Sequence, residues 1–168
     1  MATRYHSCLG IAALAVGWFW INTASAQTAP ALHPIPAAEC QTFAGQVQAA
    51  VGFAAKASED DFTDLTDRSE GRSCHISASA SGQAFAAPAD LMTKIAALFA
   101  GWQDDPARGE TGPAGAEKGF VSGSRIATVD VSWEPGPSAT CSDKEPLSSC
   151  NIQPQQKLWS VTVDIVEK

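Results

Sequence analysis

His75 is the residue of this sequence best placed for acid–base chemistry, because it lies in a stretch that alternates polar and apolar residues. Ser77 and Ser79 follow it at two-residue spacing, and alternate residues of a β-strand point to the same face of the sheet. A histidine base beside a hydroxyl could activate a nucleophile if an acid, Asp130 or Asp164, orients the imidazole. Any polar sheet surface has the same spacing, so a hydrogen-bonded surface histidine is the alternative.

A run of carboxylates suggests a second kind of chemistry. Asp61, Asp64, Asp67 and Glu70 recur every three residues, and hard oxygen ligands of this type bind Ca²⁺. Their spacing departs from the D-x-[DN]-x-[DN]-G loop, in which alternation aims the ligands inward. Runs of charge are usually solvated. We therefore expect residues 58–71 to form an exposed connection, and the sequence predicts no metal site.

Other motifs for catalysis or cofactor binding are absent. The sequence contains no G-x-S-x-G, S-x-x-K, H-E-x-x-H or GxxxxGK[ST] pattern, so no cofactor is predicted. A carboxylate pair for glycoside hydrolysis remains an alternative, because the separation of two carboxylates depends on the fold. Trp102, Trp133 and Trp159 could line a sugar pocket, but each lies on an apolar stripe, which favours core packing.

The amino-terminal residues predict export. Arg4 precedes an uncharged stretch of 13 residues from Leu9 to Ile21, and the small residues 24–26 precede Gln27, which is typical of a cleaved secretory signal peptide at residues 1–26. The apolar stretch is shorter than the ~20 residues that span a bilayer. We expect no membrane insertion after cleavage, and a periplasmic or secreted location.

Four cysteines remain after such cleavage, an even number that favours disulfides in an oxidising compartment. They are Cys40, Cys74, Cys141 and Cys150. Neighbouring cysteines pair most simply, which predicts Cys40–Cys74 and Cys141–Cys150. There is no CxxC spacing that would indicate a redox or zinc site.

Hydrophobic periodicity predicts two helices and three strands in the mature chain. Residues 27–36, which contain three prolines, are expected to be a mobile tether. The helices are expected at 37–57 and from Pro88 to Gly101, and the strands at 74–80, 127–133 and 159–165.

This order, α-β-α-β-β, predicts one α+β domain over residues 37–168, a small two-layer sandwich with an antiparallel sheet, both helices on one face and two disulfides. In a β-rich alternative, Phe120 and Val121 form an additional short strand.

Residues 103–119 contain four glycines, two prolines and no large apolar residue, so we expect a long irregular loop that could contact a partner. Its polar candidates for this contact are Gln103, Asp104, Asp105, Arg108, Glu110, Glu117 and Lys118.

Composition limits the class of partner. The chain has 168 residues and a formal net charge of −7, which repels phosphate backbones and argues against nucleic acid. We expect an exported accessory or binding domain of the cell envelope that acts through protein contacts. A small periplasmic hydrolase using His75 or a carboxylate pair is one alternative, and a carrier of Ca²⁺ or a small ligand is another. The sequence leaves the oligomeric state open.

Overall fold

The computed structural model describes residues 31–83, 85–140 and 150–168. Within them the chain forms two α-helices and seven β-strands, which confirms the α+β class but gives more strands than predicted. The elements are β1 (His33–Pro34), α1 (Ala37–Val51), β2 (Ala55–Thr63), β3 (Glu70–Ser81), α2 (Pro88–Ala96), β4 (Gln103–Thr111), β5 (Gly115–Ser122), β6 (Arg125–Pro135) and β7 (Lys157–Glu167). The predicted signal peptide lies outside these residues.

The strands form one antiparallel sheet. Its order is β2-β3-β7-β6-β5-β4, and the short β1 pairs with β7. The predicted pairing of the last two long strands is present, with Val129 of β6 opposite Val163 of β7. β3 pairs with the other side of β7, so that Ile76 also lies opposite Val163. These three strands are the centre of the sheet.

Alternate residues of the central strands build the main hydrophobic core. Ile76, Val129 and Val163 are fully buried and belong to the same cluster as Val47 of α1 and Ile95 of α2. Burial of each such side chain stabilises the fold by about 1.5–3 kcal/mol relative to exposure. The period-two pattern of the sequence therefore reports the core face of these strands correctly.

Two segments that we expected to be irregular are strands. The predicted acidic connection 58–71 contains most of β2 and the start of β3, and the predicted loop 103–119 forms β4 and most of β5. β2 and β4 are the edge strands of the sheet. An edge strand is partly solvated and is commonly charged or interrupted by proline or a bulge. β4 has such an irregularity between Asp105 and Glu110. For these reasons the apolar periodicity of the sequence could not reveal β2 or β4.

The expected tether 27–36 is also wrong for its described part. Leu32 and Ile35 are buried, and His33 lies opposite Glu167 of β7. The main chain of Leu32 donates to the carbonyl of Glu70 and accepts from the amide of Arg72, both at 3.2 Å. Main-chain hydrogen bonds of the kind that pair strands therefore hold this segment against β3 and β7.

A glycine sets the end of α1 but not that of α2. α1 ends at Val51 rather than at residue 57, because Gly52 adopts a left-handed φ of 84°. α2 ends at Ala96 and continues as a 3₁₀ turn over Ala97–Phe99. The helix therefore ends before the predicted Gly101, which has a φ of 90° and lies between the 3₁₀ turn and β4.

The predicted disulfide between Cys40 and Cys74 is confirmed. It joins α1 to β3 with a Cα–Cα distance of 5.7 Å, and its presence is compatible with an extracytoplasmic location. The predicted Cys141–Cys150 pair stays a prediction, since Cys141 lies outside the described residues. No helix in the described part of the chain has the length and apolar character needed to cross a bilayer.

Candidate functional site

The candidate site is one face of the sheet, which we call the polar face. It consists of the alternate strand residues whose side chains lie outside the main core, and hydroxyl and ionisable groups predominate on it. In the three central strands these residues include Ser73, His75, Ser77 and Ser79 of β3, Ser160, Thr162 and Asp164 of β7, and Thr128, Asp130 and Ser132 of β6. Neighbouring strands lie ~4.8 Å apart, so side chains in register across the sheet are neighbours.

His75 lies on this face and is oriented by an acid, as its hypothetical catalytic role requires. Its Nδ1 lies 2.9 Å from Oδ1 of Asp164, which is its direct partner on β7. The same oxygen accepts a hydrogen bond from the hydroxyl of Ser73 at 2.7 Å. Asp164, rather than Asp130, is therefore the acid that contacts the imidazole.

A nucleophile for His75 is not positioned in this structure. The hydroxyls of Ser77 and Ser79, the neighbours predicted from the sequence, make no side-chain hydrogen bond to His75 or to any other described residue. The pair of His75 and Asp164 is an oriented base, and the described residues provide no hydroxyl already bonded to it.

One row of polar residues crosses all six long strands. Cross-strand register places these residues side by side in the order Lys56, Ser77, Thr162, Asp130, Glu117 and Glu110. Charge therefore changes along the row from positive on β2, through uncharged hydroxyls, to negative on β6, β5 and β4.

The negative end of this row lacks basic partners. Glu110, Glu117 and Asp130 form no ion pair with any of the described residues. Burial raises the pKa of Glu117, and the neighbouring charges of Asp130 and Glu110 raise it further. Burial also raises the pKa of Asp130, against a hydrogen bond from Ser132 that lowers it. Burial and mutual repulsion therefore disfavour the ionised forms of these carboxylates. A cationic group bound beside them would reduce this penalty.

A buried ion pair joins the turn after β2 to β4, on the side of the sheet where the unpaired carboxylates lie. Arg108 of β4 contacts Asp64, in the turn between β2 and β3, at 2.5 Å. The Asp64 side chain is 0% exposed and that of Arg108 10%, and Arg108 also contacts Asp105. Because β2 and β4 are opposite edges of the sheet, this contact shows that the sheet curls until its edges approach each other.

The electrostatics of this ion pair favour its charged form. Burial alone would raise the pKa of Asp64, but the hydrogen bond and charge of Arg108 and the amide of Thr66 outweigh burial and lower it. Burial likewise opposes the charge of Arg108, whose pKa is nevertheless raised by Asp64 and Asp105. The Nε atom of Arg108 is buried and has no hydrogen-bond partner among the described residues.

A cleft of about 270 Å³ lies beside this ion pair, and we call it the closed-end cleft. Its walls include Phe62, Leu65, Arg108, Glu110 and Glu117. Leu65 is 86% exposed and is the large apolar side chain left in solvent among the described residues. The cleft therefore combines an exposed apolar residue with two unpaired carboxylates.

The structure does not gather the four candidate Ca²⁺ ligands into one site, although Lys168 contacts both Asp64 and Asp67. Asp61 pairs with Arg72, Asp64 with Arg108, and Asp67 with Lys168, while Glu70 lies opposite Thr63 at the start of β3. The hydrogen bonds from Lys168 and Ser69 lower the pKa of Asp67. In residues 31–83, 85–140 and 150–168, no group of three or more metal-ligating side chains is arranged to hold an ion.

The seven candidates for partner contact lie on the β4–β5 hairpin rather than on a loop. Gln103, Asp104, Asp105, Arg108 and Glu110 belong to β4, and Glu117 and Lys118 to β5. Asp104 and Lys118 form an ion pair at 2.9 Å. Arg108, Glu110 and Glu117 contribute to the closed-end cleft, so part of the set is brought together.

Trp102, Trp133 and Trp159 pack with the core. Trp159 is fully buried, and Trp102 and Trp133 are partly buried against the same cluster. Trp102 makes an edge contact with Phe99, and Trp133 packs under the ammonium group of Lys157. None of them lines the clefts of the polar face.

Comparisons with known proteins found no protein-family model, no curated protein and no solved structure that matches this chain.

Proposed function

We propose that this protein is an exported, disulfide-stabilised binding domain of the cell envelope that acts through contact with another protein. In this proposal the signal peptide directs it to the periplasm or the exterior, and both helices cover the side of the sheet opposite the polar face. The binding surface is the closed-end cleft. The observation that carries the proposal is the exposed Leu65 beside unpaired Glu110 and Glu117 on a scaffold fixed by the buried Arg108–Asp64 pair.

A rigid surface of this composition suits protein recognition. Side chains that are held in place before the encounter lose less conformational entropy on binding. The turn that carries Leu65 and the strand that carries Glu110 are joined by the Arg108–Asp64 contact, so both are positioned in the free protein. Because the carboxylates lack basic partners, the complementary surface should present lysine or arginine around an apolar contact.

Cross-linking in the native host tests this proposal. The full-length protein, exported with its own signal, should form a defined cross-linked product that Leu65→Asp abolishes. Glu110→Gln with Glu117→Gln should weaken the product, and raised salt should weaken it in the wild type. Gln46→Asp, on the exposed side of α1, is the matched control and should leave the product unchanged.

Two results would contradict the proposal. One is a product that survives Leu65→Asp at wild-type yield. The other is equal loss in Leu65→Asp and Gln46→Asp, which would indicate a contact without a defined site. Circular dichroism should show that both variants fold, since both positions are exposed.

The oriented His75 supports a second candidate, a small hydrolase. Its contact with Asp164 at 2.9 Å is the arrangement that holds an imidazole as a general base. Hydrolytic activity of the exported protein on ester substrates should then fall by at least ~10² in His75→Ala while folding is retained. Activity unchanged by His75→Ala would remove this candidate.

A further inference from the structure

A second hollow on the polar face lies away from the closed-end cleft, around Lys56. It has a volume of about 450 Å³, and its polar wall consists of Lys56, Ser77, Ser79, Ser160 and Thr162. We call it the Lys56 hollow. Its volume exceeds that of a simple ion and falls in the range of sites for small organic ligands.

The polar side chains of this hollow are uncommitted. The ammonium group of Lys56 and the four hydroxyls form no hydrogen bond or ion pair with any described residue. No carboxylate is part of the wall. The hollow therefore offers one ammonium group and several O–H and N–H donors. This set is complementary to a hydrogen-bond acceptor that carries negative charge.

The charge of Lys56 is not neutralised by neighbouring acids. Asp164, the carboxylate nearest to the hydroxyls on β7, already accepts hydrogen bonds from Ser73 and His75. Measured along the sheet, Asp130 is three strands from Lys56 in the same row, about 14 Å at the usual strand spacing. Asp60 is four residues along β2, about 13 Å along the strand. Both separations exceed the Debye length of about 8 Å at physiological ionic strength.

We infer that the Lys56 hollow binds an oxyanion group, a carboxylate, sulfate or phosphate, carried by an oxygen-rich small molecule. Lys56 supplies the charge, and hydroxyls on β3 and β7 donate to the oxygens of the anion and of the remainder of the ligand. Cross-strand register fixes this arrangement, because Lys56 lies opposite Ser77 and Ser77 opposite Thr162. The site is separate from the proposed protein-binding cleft, and its test does not depend on that proposal.

Binding is measured by titrating the exported, ¹⁵N-labelled protein while chloride keeps the ionic strength constant. Sulfate, phosphate and glucuronate are the anionic probes, and glucose is the neutral match to glucuronate. We expect at least one of these anions to shift the amide resonances around Ser77, Ser160 and Thr162. Glucose should bind far more weakly than glucuronate. The preferred anion then distinguishes a carboxylate site from a sulfate or phosphate site.

Two lysine variants test whether Lys56 supplies the positive charge that binds the anion. Lys56→Gln should raise the Kd for the best anion at least about tenfold, because a hydrogen bond to a charged group is lost. Lys94→Gln, at an exposed lysine on α2, should change it less than twofold. Ser77→Ala with Thr162→Val should also weaken binding, which separates a built hollow from general attraction to a surface lysine.

Three outcomes would overturn the inference. The first is that no anion shifts these resonances at millimolar concentration. The second is equal binding of glucose and glucuronate, because charge would then not be recognised. The third is an equal effect of Lys56→Gln and Lys94→Gln. Lys56 is exposed on an edge strand, so its variant should fold and each outcome can be interpreted.

Discussion

Removing the carboxylate of Asp64 should destabilise the protein far more than removing the carboxylate of Asp61. Both residues are aspartates paired with an arginine, Asp64 with Arg108 and Asp61 with Arg72. The Asp64 side chain is 0% exposed, whereas that of Asp61 is 88% exposed. The comparison therefore varies mainly burial, although Asp64 also lies 3.7 Å from Lys168 and accepts a hydrogen bond from the amide of Thr66.

The expected magnitudes follow from this burial. Breaking a buried pair leaves a charge without its partner and costs about 3–5 kcal/mol, but Arg108 keeps its contact with Asp105. We therefore expect Asp64→Ala to lower the free energy of unfolding by about 2–4 kcal/mol. An exposed pair contributes about 0–1 kcal/mol, which sets the expectation for Asp61→Ala.

Urea unfolding monitored by tryptophan fluorescence measures both variants. With an m-value of about 2 kcal/mol/M, the midpoint of Asp64→Ala should fall by about 1–2 M and that of Asp61→Ala by less than about 0.5 M. Equal, small shifts in the two variants would refute the inference that the Arg108–Asp64 pair closes the sheet.

The pH dependence gives a further check on Asp64. Its folded-state pKa lies below the ordinary value of 3.8, so its carboxylate stabilises the folded state above that value. This contribution is lost as the pH falls through the lowered folded-state pKa. The stability difference between wild type and Asp64→Ala should be constant from pH 5 to 8 and shrink on acidification below about pH 4.

Three further predictions test the fold and the polar face. Replacing Cys40 and Cys74 together by alanine should cost about 4 kcal/mol, since the disulfide closes a loop with a sequence separation of 34; a loss under about 1 kcal/mol in urea unfolding would contradict this. Gly71→Ala should destabilise the folded protein by about 2 kcal/mol or more, because an added Cβ would lie 2.0 Å from a main-chain oxygen. Gly45 has open space around it, so Gly45→Ala should stabilise α1 by about 0.5–1 kcal/mol. Glu117→Gln should stabilise the protein at pH 7 and have no such effect at pH 3, because the raised pKa of Glu117 means that its ionised form disfavours the folded state; destabilisation at pH 7 would refute the unpaired-carboxylate argument.

The elements that the sequence predicts correctly are those whose residues alternate between a buried and a solvated face. β3, β6 and β7 lie inside the sheet. β6 and β7 carry Val or Ile at every second position over part of their length, and β3 carries Cys74, Ile76, Ala78 and Ala80 at these positions. β2 and β4 carry charged residues on both faces because they are edges, and β4 contains Pro106 within an irregular stretch. Their strand character depends on pairing with a neighbour, which local periodicity does not report.

In the candidate site, too, the sequence predicts some contacts and misses others. The orientation of His75 by Asp164 could be predicted as a possibility, because each residue occupies the polar position of an alternating strand. The contact between Arg108 and Asp64 joins residues 44 apart in the chain and exists only because the sheet curls. The row from Lys56 to Glu110 likewise depends on strand order and register, which a single sequence does not specify.

Site-specific photo-cross-linking from position 65 is the most direct test of the central claim that a protein partner binds at the closed-end cleft. A photoreactive residue replaces Leu65 in one version of the exported protein and Gln46 in a second, and both are irradiated in the native host. The closed-end proposal predicts a discrete higher-mass product from position 65 that is absent from position 46 and reduced by Glu110→Gln with Glu117→Gln. A product from position 46 alone, or the same products from both positions, would contradict it.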